Sequence, residues 1–488
     1  MHRTLAALSL ALFSVFASHA QQTGERTAID TLTRELPSLM QQAAIPGLSI
    51  ALVDRDHPIW VHSFGTVDPA TGQPVTDHTL FSAASLSKPV FTYAVLQLVD
   101  QGKLDLDTPL THYWPERVVS PADDSRLDKI TARIVLSHRT GFPNWRPDGE
   151  PLRILLPPGE RFSYSGEGFV YLQHTIEHIE GKPLNEIMRQ LVFLPLGMND
   201  STYISQPGPN VTSGYSLGGQ PRGPIGSKDG NAAASLLINA HDYALFLQAI
   251  LKGRSLKPST LRQMETPQIA VDPACTNCTT RASGKLSTDL FWGLGWGIEQ
   301  TPTGKYLWHW GDNPSYKAFT IIDLTRRRAL VFFANSQSGL SIAPAVVRDA
   351  IGGDHPAFSW IHYDAYDSPS LRFTLDIAHD GAKALATHSA ELQNHTIPEE
   401  AIESAGFLLL YEQKKTDDAI AVFQRKVELY PSSPDANANL GEAYAVAGKK
   451  ELALACYEKT LALMPTRDRA RSIIERLCSE IAKEKAAH

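Results

Sequence analysis

The chain lacks a strong charge of either sign: 45 Lys and Arg stand against 52 Asp and Glu in 488 residues, a formal balance of −7. Phosphate binding needs concentrated cations, so nothing here points to nucleic acid as a partner. It is also poor in long apolar runs. Only the first twenty residues hold one, and no other segment is apolar and long enough to cross a membrane. Cysteine is scarce, at 4, and composition is otherwise ordinary, 43% hydrophobic and 20% charged. Such a chain is globular and too long for one typical core, so two or three folded units are expected.

The one apolar run belongs to MHRTLAALSLALFSVFASHA. A basic start, an apolar stretch from Leu5 to Phe16 and small residues at Ser18 and Ala20 form the pattern of a secretory signal peptide, residues 1–20, cleaved after Ala20. The run is shorter than the ~20 residues of a membrane span, and no cysteine follows it to accept a lipid. The reading is therefore a periplasmic or secreted protein. Cys275 and Cys278 lie in the polar stretch PACTNCTT with neither a strand before nor an amphipathic helix after, which favours a small loop-pinning disulfide over a redox site. Cys456 and Cys478 lie in helical sequence and read as buried apolar side chains.

The C-terminal part carries a repeat. Ala419, Phe423 and Pro431 recur 34 residues later as Ala453, Tyr457 and Pro465, with Gly441-Glu442-Ala443-Tyr444 supplying small and aromatic residues to a first helix. This resembles the tetratricopeptide repeat, with Gly406 one place out of register in the first copy. Two hairpins of this kind bury too little on their own, so the helical sequence before them, LDIAHDGAKALATHSAEL, and after them, DRARSIIERLCSEIAKE, is expected to supply a degenerate repeat and a cap. Composition shifts near Phe358 to Leu371. The expected divisions are 21–357 for a first domain, 358–395 for a linker and helical segment, and 396–488 for the repeats. In the first domain LSIALVDRD and VHSFGTVD alternate like paired strands, as do YLWHWG and KAFTIIDLTRRRALVFFAN, while helical patterns fill the middle. That order implies an α+β domain whose antiparallel sheet, flanked by helices, is assembled from both ends of the domain.

Ser85 and Lys88 stand three apart in FSAASLSKPVF, where Pro89 confines the helix start to their neighbourhood. One helical face carries both, so the ammonium lies beside the hydroxyl. A serine needs such a neighbouring base to become nucleophilic, and a helix N-terminus favours the negative charge that develops. Val90, Phe91, Ala94, Val95 and Leu98 would bury one face of the helix. By itself Ser-x-x-Lys fits equally a helix cap with a solvated lysine.

Its company decides. FSAASLSK is followed in order by QGKLDLDTPLTHYWPE, IVLSHRTGFPNW, PGERFSYSGEGF, LVFLPLGMNDSTY, FWGLGWGIE and LWHWGDNPSYKAF. From about Ile29 to about Gly353 this succession resembles the serine β-lactamase and penicillin-binding-protein superfamily, in its branch of class C β-lactamases, DD-carboxypeptidases and family VIII esterases. The resemblance implies that Ser85 forms an acyl-enzyme, that Lys88 is its partner, and that Tyr164 is the general base, its phenolate favoured by the Lys88 ammonium. It implies that His309-Trp310-Gly311 takes the place of the Lys-Thr-Gly strand motif, with an oxyanion hole from the backbone N–H groups of Ser85 and Asp312. No metal or organic cofactor is implied. The substrate would be a small molecule or peptide presenting an ester, amide or β-lactam carbonyl. Two departures count against strong β-lactam hydrolysis: Gly166 replaces the asparagine of the Tyr-x-Asn element, and His309 replaces a lysine. A carboxylesterase without useful β-lactamase activity, and a non-catalytic scaffold binding a protein partner through the repeats, are the alternatives.

His174 and His178 in HTIEH have the spacing of one class of zinc peptidase helix. The apolar stripe Phe169, Leu172, Ile176 and Ile179 sets both histidines on the opposite face, towards solvent, so no metal site is expected. His138 and Trp145 read as structural packing. Trp292, Trp296 and Trp310 read as candidates to line the cleft.

Overall fold

The computed structural model describes residues 26–55, 59–205, 208, 210–223, 225–279 and 283–487; the signal peptide expected at 1–20 lies outside them. Two units are present. One runs to Tyr215 and resumes from Pro221 to Tyr363; the other holds Ser216–Gln220 and the chain from Asp364 onward.

The first unit is built around β1 (Gly47–Asp54), all eight of whose residues are buried. Alternation in its sequence reflects pairing, but both faces of the pleat are covered. Ala51 and Val53 join a core that includes Tyr243, Ala244 and Leu247 of the helix Ala240–Lys252. Leu48, Ile50 and Leu52, which point the other way, are buried too. On one side β1 pairs with β2 (Trp60–Asp68), beyond which lies β3 (Gln73–Pro74). On the other it pairs with β11 (Arg328–Ala334), followed by β10 (Tyr316–Asp323), β9 (Gly304–Asn313), β8 (Gly297–Thr301), β7 (Leu290–Trp292) and β6 (Ile269–Ala270). Every pairing is antiparallel, and Ile50 lies opposite Phe332. The sheet thus joins the two ends of the unit, as the sequence implies.

Between β3 and β6 the chain forms the helical part and a small second sheet, β4 (Phe81–Ser82) against β5 (Leu237–Ile238). The helix Ser87–Asp100 is buried from Ser87 to Leu98, on all sides rather than on one face. It is the axis of this layer: Phe91 packs on Phe169, and Tyr93 on Phe246. A helix apolar all round belongs inside a core.

The second unit is a succession of helices, among them Pro369–Asp380, Glu399–Phe407, Thr416–Leu429, Pro434–Val446, Lys450–Leu463 and Asp468–Ala487. Phe373, Ile377 and Leu392, from the sequence preceding the repeats, share one core with Ile402, Leu409 and Phe423. Ala470 and Leu477 of the last helix close a second core with Ala453 and Tyr457. The offset of Gly406 has a structural reason. A Cβ on Gly406 would lie 2.3 Å from the Phe423 ring, as one on Gly441 would lie 3.1 Å from the Tyr457 ring, so both glycines admit the equivalent aromatic side chain. Between Gly406 and Phe423 the helix passes through a π-turn, Leu408–Glu412, and a π-turn absorbs one extra residue. The expectation for the two helical cysteines needs correction: Cys456 is only partly buried and Cys478 is exposed, because Cys478 falls on the outward side of the capping helix.

A buried ion pair fastens the last helix of the first unit. His355 Nδ1 lies 2.6 Å from Glu299 Oε2 on β8, its Nε2 lies 3.1 Å from the Gly352 carbonyl, and the Ala357 N–H donates to Glu299 Oε1 at 2.9 Å. Burial pushes the imidazole down, but the hydrogen bond and charge of Glu299, the Gly352 carbonyl and Asp323 outweigh it and raise His355 above its ordinary value. The stability this supplies is therefore complete below the unfolded histidine value and is lost as pH rises through the folded one. Breaking a buried pair costs about 3–5 kcal/mol. Urea unfolding of wild type and Glu299→Gln is expected to differ by about that amount below the unfolded histidine value, with the gap narrowing as pH rises through the folded one.

Candidate active site

Ser85 sits on a short 3-10 turn, Ala84–Leu86, that leads from β4 into the helix Ser87–Asp100. The residue before it, Ala84, has a φ of +47°. A non-glycine residue in the left-handed region is strained, and the surroundings hold it there. Ser87 Oγ donates to the Ala84 carbonyl at 2.5 Å and accepts the Leu236 N–H at 3.0 Å, while Tyr203 Oη donates to the Ser87 carbonyl at 2.7 Å. The result is a serine partly exposed among buried neighbours. β9 runs beside it, and Gly311 is the point of closest approach: a Cβ there would lie 2.4 Å from the Ala83 carbonyl oxygen. Only glycine fits.

Lys88 is fully buried rather than solvated. Its Nζ lies 3.0 Å from Ser85 Oγ and donates to the Ala233 carbonyl at 2.8 Å. It also stands 4.8 Å from the centre of the Tyr164 ring. Burial pulls its pKa well below the ordinary lysine value. Ala233 is a site residue invisible in the sequence. Its carbonyl is presented by a turn in which Asn231 Oδ1 accepts the Ala233 N–H and Gln173 Oε1 accepts the Ala232 N–H, both at 2.8 Å.

Two histidines complete this cluster. His309, on β9, directs Nδ1 at the Trp310 carbonyl, 2.8 Å away; burial and then the neighbouring Lys88 push its pKa down to about 3. His138, with a φ of +53°, stacks on Tyr164 at 4.2 Å between ring centres and accepts the Ser165 N–H at Nδ1, 3.0 Å away. Burial, then Lys88 and His309, lower it well below its usual value. Three bases are thus buried together, and burial shifts each of them towards its uncharged form. Tyr164 is raised by burial, with the Ser85 hydroxyl working against that rise and the Asp312 carboxylate adding to it. The expectation that Lys88 favours the phenolate is corrected here: the amine faces the ring, and burial is the larger effect. Among the described residues, Tyr164 Oη and the Nε2 atoms of His138 and His309 make no well-formed hydrogen bond.

The expected structural role of Trp145 is corrected as well. The residue is 47% exposed, and its indole lies against Gly166, where a Cβ would come within 2.5 Å of the ring. An aromatic plane therefore occupies the space that a side chain at position 166 would need. Trp292 and Trp296, read as cleft residues, are wholly buried. Trp292 supports the site from beneath, against His138, Tyr164 and His309, and Trp296 stacks on Phe246 in the core. Trp310 is almost buried at 8% and packs on Tyr164. Asp312 stays partly exposed, paired to the Lys317 ammonium and accepting from Tyr363 Oη. The residues read as one site, Ser85, Lys88, Tyr164, His309, Gly311 and Asp312, therefore lie in one cluster. His174 and His178 lie outside it on the exposed face of the helix Gly166–Glu180, and His174 Nδ1 contacts Glu177 Oε2 at 3.0 Å.

An antiparallel sheet carrying this helical insertion is a fold shared with penicillin-binding-protein homologues. Residues 32–349 match the family model described as Beta-lactamase, and residues 410–477 one described as Tetratricopeptide repeat. The chain belongs to the β-lactamase family and carries tetratricopeptide repeats behind the domain of that family. It is 31% identical over 261 residues to an unguisins hydrolase of Aspergillus campestris, covering 46% of this chain and 48% of that protein. It is 31% identical over 211 residues to Esterase EstB of Burkholderia gladioli, covering 37% and 53%. The chain spans about half the length of these two curated relatives. The octameric penicillin-binding protein homologue from Pyrococcus abyssi has a similar fold, with a TM-score of 0.57 at 22% identity over 67% of this chain and 78% of that one.

The approach of Gly311 to the Ala83 carbonyl yields a test of geometry alone. Gly311→Ala forces backbone against backbone, so about 1–3 kcal/mol of stability is expected to be lost in urea unfolding of the full chain. Ala318→Gly, across the strand pair, is expected not to restore it.

Proposed function

We propose that this protein is an exported esterase that cleaves uncharged esters with apolar acyl groups through an acyl-enzyme on Ser85. The observation that carries the reading is the Lys88 amine, buried, held 3.0 Å from Ser85 Oγ and depressed in pKa. An ammonium could only donate; an amine can take the hydroxyl proton. Lys88–NH2 with Tyr164–OH holds as many protons as ammonium with phenolate, and burial favours the uncharged pair. Tyr164 then acts as acid and relay rather than as resting base. Lys88 accepts the Ser85 proton as Oγ attacks the carbonyl carbon, and the backbone N–H groups of Ser85 and Asp312 receive the oxyanion. Tyr164 protonates the departing alkoxide and regains a proton from Lys88. Water, deprotonated by the same pair in reverse order, then releases the acid.

Charge and shape support the substrate class. Substrate carboxylates, as on β-lactams and D-alanyl peptides, gain nothing from His309, which is neutral at pH 7. Asp312 presents a carboxylate of its own and engages the Lys317 ammonium. Trp145 offers an apolar plane where a polar side chain would contact an acylamino group. Similarity to an esterase agrees with this. Export is supported by the Cys275–Cys278 disulfide, a bond of oxidising compartments. Among the described residues no helix is long and apolar enough to cross a membrane. The repeat array is read as the binding surface for a protein partner.

A substrate panel tests the reading. Wild type is expected to hydrolyse p-nitrophenyl butyrate and to take a fluorophosphonate label, with nitrocefin turned over at least ~100-fold less efficiently; Ser85→Ala loses label and at least ~1000-fold in kcat/KM. Efficient nitrocefin turnover, or an unlabelled wild type, would overturn it. Trp145→Ala is expected to raise KM for the hexanoate ester about 5-fold or more while leaving the acetate ester within about 2-fold, since each buried methylene contributes ~0.8 kcal/mol. The pH profile carries a sign: with Lys88 lowered, kcat/KM levels off well below the ordinary lysine value and falls as pH drops through the amine's own value. A lysine of ordinary pKa would instead make it climb about tenfold per pH unit towards pH 10.

A further inference from the structure

Tyr164 stands on an irregular segment. Residues 162–165 belong to neither strand nor helix, and the helix Gly166–Glu180 begins only after them. No ladder or helical bond therefore fixes the phenol, although proton transfer tolerates little misplacement. Its backbone is held from two sides. On one side is His138, whose carbonyl accepts the Ser163 N–H at 2.8 Å and whose Nδ1 accepts the Ser165 N–H. On the other is the loop closed by the Cys275–Cys278 disulfide. The Thr276 carbonyl accepts the Tyr164 N–H at 2.9 Å. Asn277 Oδ1 accepts from Ser163 Oγ at 3.2 Å, and Ser163 Oγ accepts the Cys278 N–H at 3.1 Å.

The loop is itself anchored at its base. Asp272 is buried; its carboxylate accepts the Ala274 N–H at 2.9 Å and both the N–H and the hydroxyl of Ser283 at 2.7 Å. Its carbonyl accepts from Trp360 Nε1 at 2.8 Å, and Trp360 packs among Phe162, Trp292 and Trp310 beneath the site. The three groups that grip Tyr164 and Ser163 from this second side all lie between or at the two bridged cysteines. Thr276 is half-buried and Asn277 exposed, so beyond the buried Cys278 the turn has little packing of its own to hold the Thr276 carbonyl and the Asn277 amide group in place. The bridge removes that freedom.

We infer that the disulfide-closed loop Cys275–Cys278 is the positioning element for Tyr164, with Thr276, Asn277 and Cys278 setting the phenol against Ser85 and Lys88. The inference rests on the proposed role of Tyr164 in proton transfer. Opening the bridge makes hydrolysis responsive to dithiol reductants: the dithiol gives two electrons and two protons, leaving two cysteine thiols and a cyclic disulfide of the reductant. Substrate contacts and the Ser85–Lys88 pair are untouched by this change.

The test uses the full chain, oxidised and after dithiothreitol, beside Cys275→Ser/Cys278→Ser and Asn277→Ala. Opening of the bridge is verified by alkylation and mass spectrometry. Reduction and the double variant are expected to lower kcat for p-nitrophenyl butyrate about 10- to 100-fold with KM within about 2-fold, and Asn277→Ala to lie between them and wild type. Protection of the Tyr164 amide against hydrogen exchange is expected to fall on reduction while that of the helix Ser87–Asp100 is unchanged. An alkylated enzyme with full kcat, or a loss shared by helix protection and thermal midpoint, overturns the positioning role. Should wild type neither hydrolyse nor label, the functional reading fails, and unaltered Tyr164 exchange on reduction would still refute the clasp separately.

Discussion

Burial of one lysine amine governs the site. Lys88 has no exposed surface, and among the described residues its Nζ hydrogen-bonds with Ser85 Oγ and the Ala233 carbonyl. Holding an ammonium there would be expensive, so the surroundings select the amine. The same burial neutralises His138 and His309 and keeps Tyr164 protonated. Helix and sheet serve that purpose: the helix bearing Lys88 is enclosed on every side, and β9 reaches the serine only because Gly311 lacks a side chain.

Two of the chain's local backbone exceptions lie around this core. Ala84 and His138 both adopt left-handed backbone, and both flank the reacting groups. Strain of about 1–3 kcal/mol each is tolerable only inside rigid packing. The aromatic layer of Trp292, Trp308, Trp310 and Trp360 supplies it. Trp145 is the contrasting case, an indole left half in solvent over Gly166.

Much of this was legible beforehand. Pro89 places the helix start, alternation marks β1, β2 and the β9 to β11 meander, and the repeat period exposes the second unit. The juxtaposition of Ser85 with Lys88 follows from helical spacing. Other features depend on contacts between distant segments and leave no local trace. The Ala233 carbonyl is a backbone atom, which no residue type announces. The burial of Trp292 and Trp296 and the exposure of Trp145 depend on which neighbours arrive, and all three look alike in sequence. Cys478 lies on the exposed side of its helix, which the residue type does not announce. The protonation of Tyr164 turns on the balance of burial against one nearby hydroxyl, which spacing does not encode.

The central pairing of β1 with β11 bears on how the protein is made. Ile50 finds Phe332 only after nearly the whole unit has been synthesised. A newly made β1, buried on both faces in the finished sheet, therefore waits with its apolar faces and one hydrogen-bonding edge unsatisfied while the helical insertion is completed. Such non-local closure slows folding and lengthens exposure to aggregation. The repeats, built from neighbouring helices, can by contrast fold as they emerge.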